Sequence, residues 1–86
     1  MVQKEFHISN PTGLHTRPGN EFVKAAKQFS CEITLTKGEK TADAKSLLKI
    51  MKTDIVQGDT VSLSCSGPDE TEALAALGSY LENLKE

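Results

Sequence analysis

The 86-residue chain has no apolar run near the length of a membrane span, and no charged-then-apolar leader at its start. Membrane insertion and export are therefore not expected, and cytoplasmic residence is. Charge of one sign is also lacking. A formal net charge of −2 argues against wholesale nucleic-acid binding. Cysteine is scarce: Cys31 and Cys65 stand far apart without tight metal spacing. Each reads as a small apolar residue on a strand in a reducing compartment. A zinc site would need two more ligands, and His7 and His15 are the only histidines, so no metal is expected. No glycine-rich phosphate loop is present, so no nucleotide site and no cofactor are expected either. No internal repeat and no linker divide the chain, which points to one domain over residues 1–86. With 37% hydrophobic and 26% charged residues, that domain is an ordinary globule with a modest core.

What is present is a regular alternation of strand and helix patterns. Residues 2–8 alternate, with Phe6 and Ile8 on one face and Gln3, Glu5 and His7 on the other. His7 reads as a solvent-facing residue. Residues 9–13 are turn-rich. A helix is predicted over 16–28, with Phe22, Ala26 and Phe29 in one stripe beside Val23. Gly19 is its weak spot, because glycine inside a helix costs roughly 1 kcal/mol against alanine. A strand follows over 31–37, with Cys31, Ile33 and Leu35 inward. A turn at Lys37-Gly38 leads to a short polar edge strand over 39–43. Ser46 is placed as N-cap of a short helix that ends at Asp54, a residue that tolerates left-handed geometry. Gln57-Gly58-Asp59 is a turn. A fourth strand turns Val61, Leu63 and Cys65 inward. Asp69 opens a last helix with Glu72 as a capping-box-like partner, and Leu74, Leu77, Leu81 and Leu84 form its core stripe. The order β-α-β-β-α-β-α, with amphipathic helices against one face of a sheet, gives an α+β two-layer sandwich.

One stretch carries chemistry. In Gly13-Leu14-His15-Thr16-Arg17-Pro18 a histidine stands at the foot of a predicted helix. Pro18 suits a first helical turn and Thr16 a cap. Free backbone N–H groups and the Arg17 guanidinium would surround the His15 ring with positive potential. Such a site suits an anion, above all a phosphoryl group carried on the ring itself. A lone histidine at a helix start is more often a simple cap or surface residue, and the motif alone does not decide between the two.

That string, this near the start of so short a chain, resembles the HPr family, the histidine phosphocarriers of the bacterial phosphotransferase system. The likeness continues through Phe22-Val23-Lys24, Ala44-Lys45-Ser46-Leu47, Gln57-Gly58 and the acidic last helix. It implies a four-stranded antiparallel sheet ordered β1-β4-β2-β3 with three helices on one face. It implies phosphorylation of His15 on Nδ1 (a pros-phosphohistidine), with Arg17 stabilising the added charge. The protein would then be a substrate of other enzymes rather than an independent catalyst. Enzyme I would phosphorylate it from phosphoenolpyruvate, and Enzyme IIA domains of sugar-specific transporters would accept the group. Two departures stand out: family members usually carry a good helix former where Gly19 stands, and glycine where Asp54 stands.

Docking onto such partners needs an exposed surface around His15. Thr16, Asn20, Lys24 and Lys27 on the first helix and Leu47, Leu48 and Lys49 on the second are the candidates. Lysines framing an apolar patch fit acidic partner surfaces, although any single lysine is more often just solvated. Ser46 resembles the regulatory site of HPr kinase/phosphorylase, which brings in that enzyme and a catabolite-control regulator as further partners. The chain is expected to be a monomer. Two other readings stand beside this one: a nitrogen-related regulatory phosphocarrier, and a small regulatory or ligand-binding α+β module that never carries phosphate.

Overall fold

The computed structural model describes residues 1–11, 13–14 and 16–84. Strand β1 (Val2–His7) is followed by helix α1 (Thr16–Ala26) and strands β2 (Glu32–Lys37) and β3 (Lys40–Asp43). Helix α2 (Leu47–Lys52), strand β4 (Thr60–Ser66) and helix α3 (Glu70–Glu82) complete the chain. The strands form one antiparallel sheet in the order β1-β4-β2-β3. Register follows burial. Phe6 pairs with Val61, Ile33 with Cys65 and Leu35 with Leu63, so the apolar residues of three strands share one face. The helices cover that face through Phe22, Val23, Ala26, Ile50, Ala73, Leu77 and Leu81. His7, Glu5 and Gln3 lie exposed on the opposite face, as their alternation requires.

Helix α1 ends at Ala26, two residues short of the predicted end, and the chain runs on in tight turns in which Gln28 N–H donates to Ala25 and Phe29 N–H to Ala26. Thr16 is the first residue of α1 rather than its cap, because the helix begins one residue earlier than the cap reading requires. Pro18 still falls in the first turn, where no N–H is needed. Asp54 adopts φ 54°, the left-handed conformation expected of it at the end of α2. Its carbonyl accepts a hydrogen bond from Lys37 Nζ, which also pairs with Asp59 at 2.8 Å. At Gly19 a Cβ would lie 3.3 Å from Leu47 Cδ1, the end of a side chain, and at an ordinary 3.5 Å from the Leu14 carbonyl, so Leu47 packs directly over this position.

The capping pair expected at α3 does not form. Asp69 makes no side-chain cap bond; its carboxylate turns instead to the α1–β2 connection. It accepts from Ser30 N–H at 2.8 Å and Cys31 N–H at 2.9 Å. Glu70 Oε1 accepts from Gly67 N–H at 3.2 Å. Asp69 thus serves another segment, because the start of β2 brings two unpaired N–H groups beside the start of α3. Cys31 and Cys65 are buried free thiols. Burial, with the Asp69 carboxylate next, pushes the Cys31 thiol up to about 11, so it stays protonated and unreactive at neutral pH.

The Ser30 N–H, ahead of the Cys31 contacts, holds the Asp69 carboxyl below the usual carboxylate range. A carboxyl depressed by folding stabilises fully above its unfolded pKa of about 4 and loses that effect as pH falls through its folded value. Asp69→Ala is therefore expected to lower the melting temperature at pH near 7, with the gap to the parent protein closing in acid below about pH 4. Thermal melts of both proteins across that range check it; a gap independent of pH would contradict the assignment.

Candidate functional site

The segment before α1 is held by backbone contacts rather than by packing alone. Asn10 is buried and closes a turn in both directions: Gly13 N–H donates to its carbonyl at 3.2 Å, and its Nδ2 donates to the Gly13 carbonyl at 2.7 Å. Gly13 stands at φ 61°, and a Cβ there would fall 2.4 Å from the Ile55 carbonyl oxygen and 2.6 Å from Val56 Cα. Only glycine fits. Leu14 then donates its N–H to the Ile55 carbonyl at 3.1 Å and buries its side chain. Further back, Gly58 N–H donates to Ile8 at 2.7 Å, Ile8 N–H to Asp59 at 2.8 Å, and Gln57 Nε2 to the Ser9 carbonyl at 3.0 Å. The turn that closes on Val56 is itself tied, since Val56 N–H donates to the Asp59 carboxylate at 2.8 Å. The hydrogen bond from Lys37, then that from Val56, draws the Asp59 carboxyl below its ordinary value.

His15 lies outside the described residues, as do Thr12, Lys85 and Glu86. The chain is fixed on either side of position 15. Downstream, Tyr80 of α3 donates its hydroxyl to the Pro18 carbonyl at 3.0 Å, and its ring sits 6.1 Å from that of Phe22. Arg17 is exposed on the first turn of α1. With Pro18, Glu21, Ser79, Tyr80 and Asn83 it lines a groove of about 660 Å³ between α1 and α3. Asn10 and Tyr80 are the two supports that sequence reasoning did not single out. Asn10 hides in a turn-rich stretch, and Tyr80 is the chain's one tyrosine, on a helix read only for its leucines.

The docking candidates fall on two adjoining helices. Thr16, Asn20, Lys24 and Lys27 follow one stripe along α1 and its final turn, and all but the half-buried Asn20 are exposed. Lys24 reaches Glu21 at 3.9 Å, an exposed pair of little energetic consequence. On α2, Leu47 rests over Gly19, while Leu48 is 67% exposed beside exposed Lys49. Ser46 is the N-cap of α2. Its backbone is extended and its Oγ accepts from Lys49 N–H at 3.4 Å. Among the described residues no group of three histidine, cysteine, aspartate or glutamate side chains is placed to hold a metal ion.

Comparison with known proteins finds relatives over nearly the whole chain. The family model for the PTS HPr component phosphorylation site matches residues 2–83. The chain is 44% identical to the phosphocarrier protein HPr of Haemophilus influenzae over 85 residues, which is 99% of this chain and 100% of that one. The crystal structure of HPr-C-His from Thermoanaerobacter tengcongensis superposes with a TM-score of 0.92 at 43% identity, covering 95% of this chain and 92% of that one. A structure of an HPr dimer from the same organism superposes at 0.76, also at 43% identity, covering 95% and 94%.

Gly13→Ala tests the anchoring of the loop. A left-handed alanine and an overlap with the Ile55 carbonyl together are expected to cost about 2 kcal/mol or more. Urea unfolding measures this, and a stability within about 0.5 kcal/mol of the parent would show that the loop is not held as described.

Proposed function

Since the chain belongs to the HPr family and is a phosphoryl carrier of the phosphotransferase system, we propose that His15 receives the group on Nδ1 and that Arg17 stabilises it there. The observation that carries this reading is the double anchoring around position 15. Leu14 is bonded to Ile55 before it, and Pro18 is bonded to Tyr80 after it. A carrier histidine must be neutral to attack phosphorus and a good leaving group once protonated. The N-terminus of an 11-residue helix and a guanidinium disfavour the imidazolium and then favour the phosphoryl dianion. One environment thereby serves loading and unloading. The different-class alternative, a module that never carries phosphate, is not favoured by a family match over residues 2–83.

In this reading Enzyme I loads the carrier from phosphoenolpyruvate and Enzyme IIA domains unload it, both docking on the α1–α2 surface. The protein is passed between enzymes and catalyses nothing on its own. It works as a monomer in the cytoplasm. Among the described residues the exposed large hydrophobic side chains are Met1, Leu48 and Val56, a short list that supports the monomer reading. No helix among them is long and apolar enough to cross a membrane. Phosphorylation of Ser46 by HPr kinase/phosphorylase, read by a catabolite-control regulator, would add a dianion beside Leu47 and Lys49 without unwinding α2, because a phosphate is compatible with an N-cap.

Incubation with phosphoenolpyruvate and Enzyme I, followed by mass spectrometry, tests the site. One acid-labile phosphoryl group is expected on the parent and on His7→Ala, and none on His15→Ala; labelling of His15→Ala would refute the assignment. Arg17→Ala is expected to slow transfer about tenfold to a hundredfold, the equivalent of one charge-assisted contact. Ser46→Asp should keep the fold and raise the KM of Enzyme I for the carrier. Ser46→Ala should lose about 1 kcal/mol of stability and leave that KM unchanged. Equal KM values for the parent and Ser46→Asp would leave Ser46 as a cap alone.

A further inference from the structure

Lys37 is the last residue of β2, paired with Lys40 across the turn to β3. Its backbone is therefore fixed by the sheet. Its side chain leaves the sheet and reaches the connection between α2 and β4. There Nζ donates to the Asp54 carbonyl and pairs with Asp59 Oδ2 at 2.8 Å. The same Oδ2 accepts from Val56 N–H at 2.8 Å. One ammonium group thus holds both ends of the segment 54–59, and its carboxylate partner holds the middle. The Lys37 and Asp59 side chains are only 25% and 24% exposed, so water and salt screen the pair less than an open surface pair.

The segment needs such a hold. Asp54 stands at φ 54°, a left-handed conformation that any residue with a Cβ adopts at a cost. The bond from Lys37 fixes the carbonyl of that residue, and with it the peptide that leads into Ile55. The Ile55 carbonyl in turn accepts from Leu14 N–H at 3.1 Å. Gly13 lies so close that a Cβ there would fall 2.4 Å from the same oxygen and 2.6 Å from Val56 Cα. No side chain cushions this contact, so a rotation of the Ile55 peptide is passed directly to Gly13 and Leu14. The linkage from Lys37 through Asp54 and Ile55 to Leu14 ends one residue before position 15.

We propose that Lys37 is a positioning residue for phosphoryl transfer. From the end of β2 it sets the backbone of the 54–59 segment, and through it the backbone that leads into His15. The role rests on the carrier reading of His15. Lys37 itself lies off the α1–α2 docking surface, on the hairpin of β2 and β3. Its effect therefore falls on the transfer step rather than on the encounter with a partner.

Lys37→Met keeps the side-chain length and removes the donors. Its single-turnover loading by Enzyme I is expected to slow about threefold to tenfold, with the KM of Enzyme I for the carrier within about twofold of the parent's. Amide hydrogen exchange at Leu14 should quicken about tenfold, and by less at Leu63 inside β4. Lys37→Arg, whose fork can serve both acceptors, should keep the parent's rate and exchange. Lys4→Met, which removes the Lys4–Glu82 pair at 3.9 Å, should change neither. A Lys37→Met protein that loads at the parent's rate, or a Lys37→Arg protein as slow as Lys37→Met, overturns the role. So does an equal rise in exchange at Leu14 and Leu63, which would make Lys37 a general stabiliser. A parent protein that takes no phosphoryl group overturns the carrier reading and this role with it, whereas a loaded parent beside a full-speed Lys37→Met overturns this role alone.

Discussion

The close approach of Gly13 to the backbone of Ile55 and Val56 is the constraint on which the functional end of the molecule depends. With 2.4 Å between a would-be Cβ and a carbonyl oxygen, the two segments are in backbone contact. The Leu14–Ile55 hydrogen bond locks that contact, and the Ile8–Asp59 and Gly58–Ile8 bonds extend it back to β1. The turn on the far side is stiffened in its own right by the Asp59 carboxylate, which holds Val56 N–H and Lys37. Backbone held this way, at Gly13 and Leu14, keeps little conformational freedom to lose in any further ordering.

The rest of the fold works towards the same end. β4 lies inside the sheet, and its Val61, Leu63 and Cys65 are buried in the one core cluster that residues of all three helices share. This common floor sets where α1 and α3 sit, so Tyr80 can reach Pro18 across a sequence distance of 62 residues. Asp69 performs a matching service at the opposite end, gripping two N–H groups where the chain enters β2. Polar contacts thus pin both ends of α1 while apolar packing fixes its middle.

Charge is distributed as two separate basic areas on a mildly acidic protein. One follows the exposed stripe of α1 through Lys24 and Lys27. The other surrounds a groove between β3 and α2. Lys49 borders both.

Much was legible in the chain itself. Alternation over short strands placed Phe6, Ile33, Leu35, Val61 and Leu63 in the core, and each is buried. The cap at Ser46 followed from residue chemistry, and the left-handed Asp54 from that chemistry together with the glycine the family usually carries there. The loop-to-helix motif located the candidate histidine, and its likeness to a family supplied the strand order that periodicity could not. These are local properties: a propensity, a cap or a stripe depends on neighbours a few residues away. What only the tertiary structure decided involves partners far apart in the chain. It turned Asp69 from a helix cap into a clamp on residues 38 and 39 positions earlier. It brought Leu47 from another helix against Gly19, and it gathered four lysines from β3, α2 and the turn between them around one groove. Hydrogen-bond partners and close approaches of this kind are set by how whole elements pack, and no window of sequence contains both members of the pair.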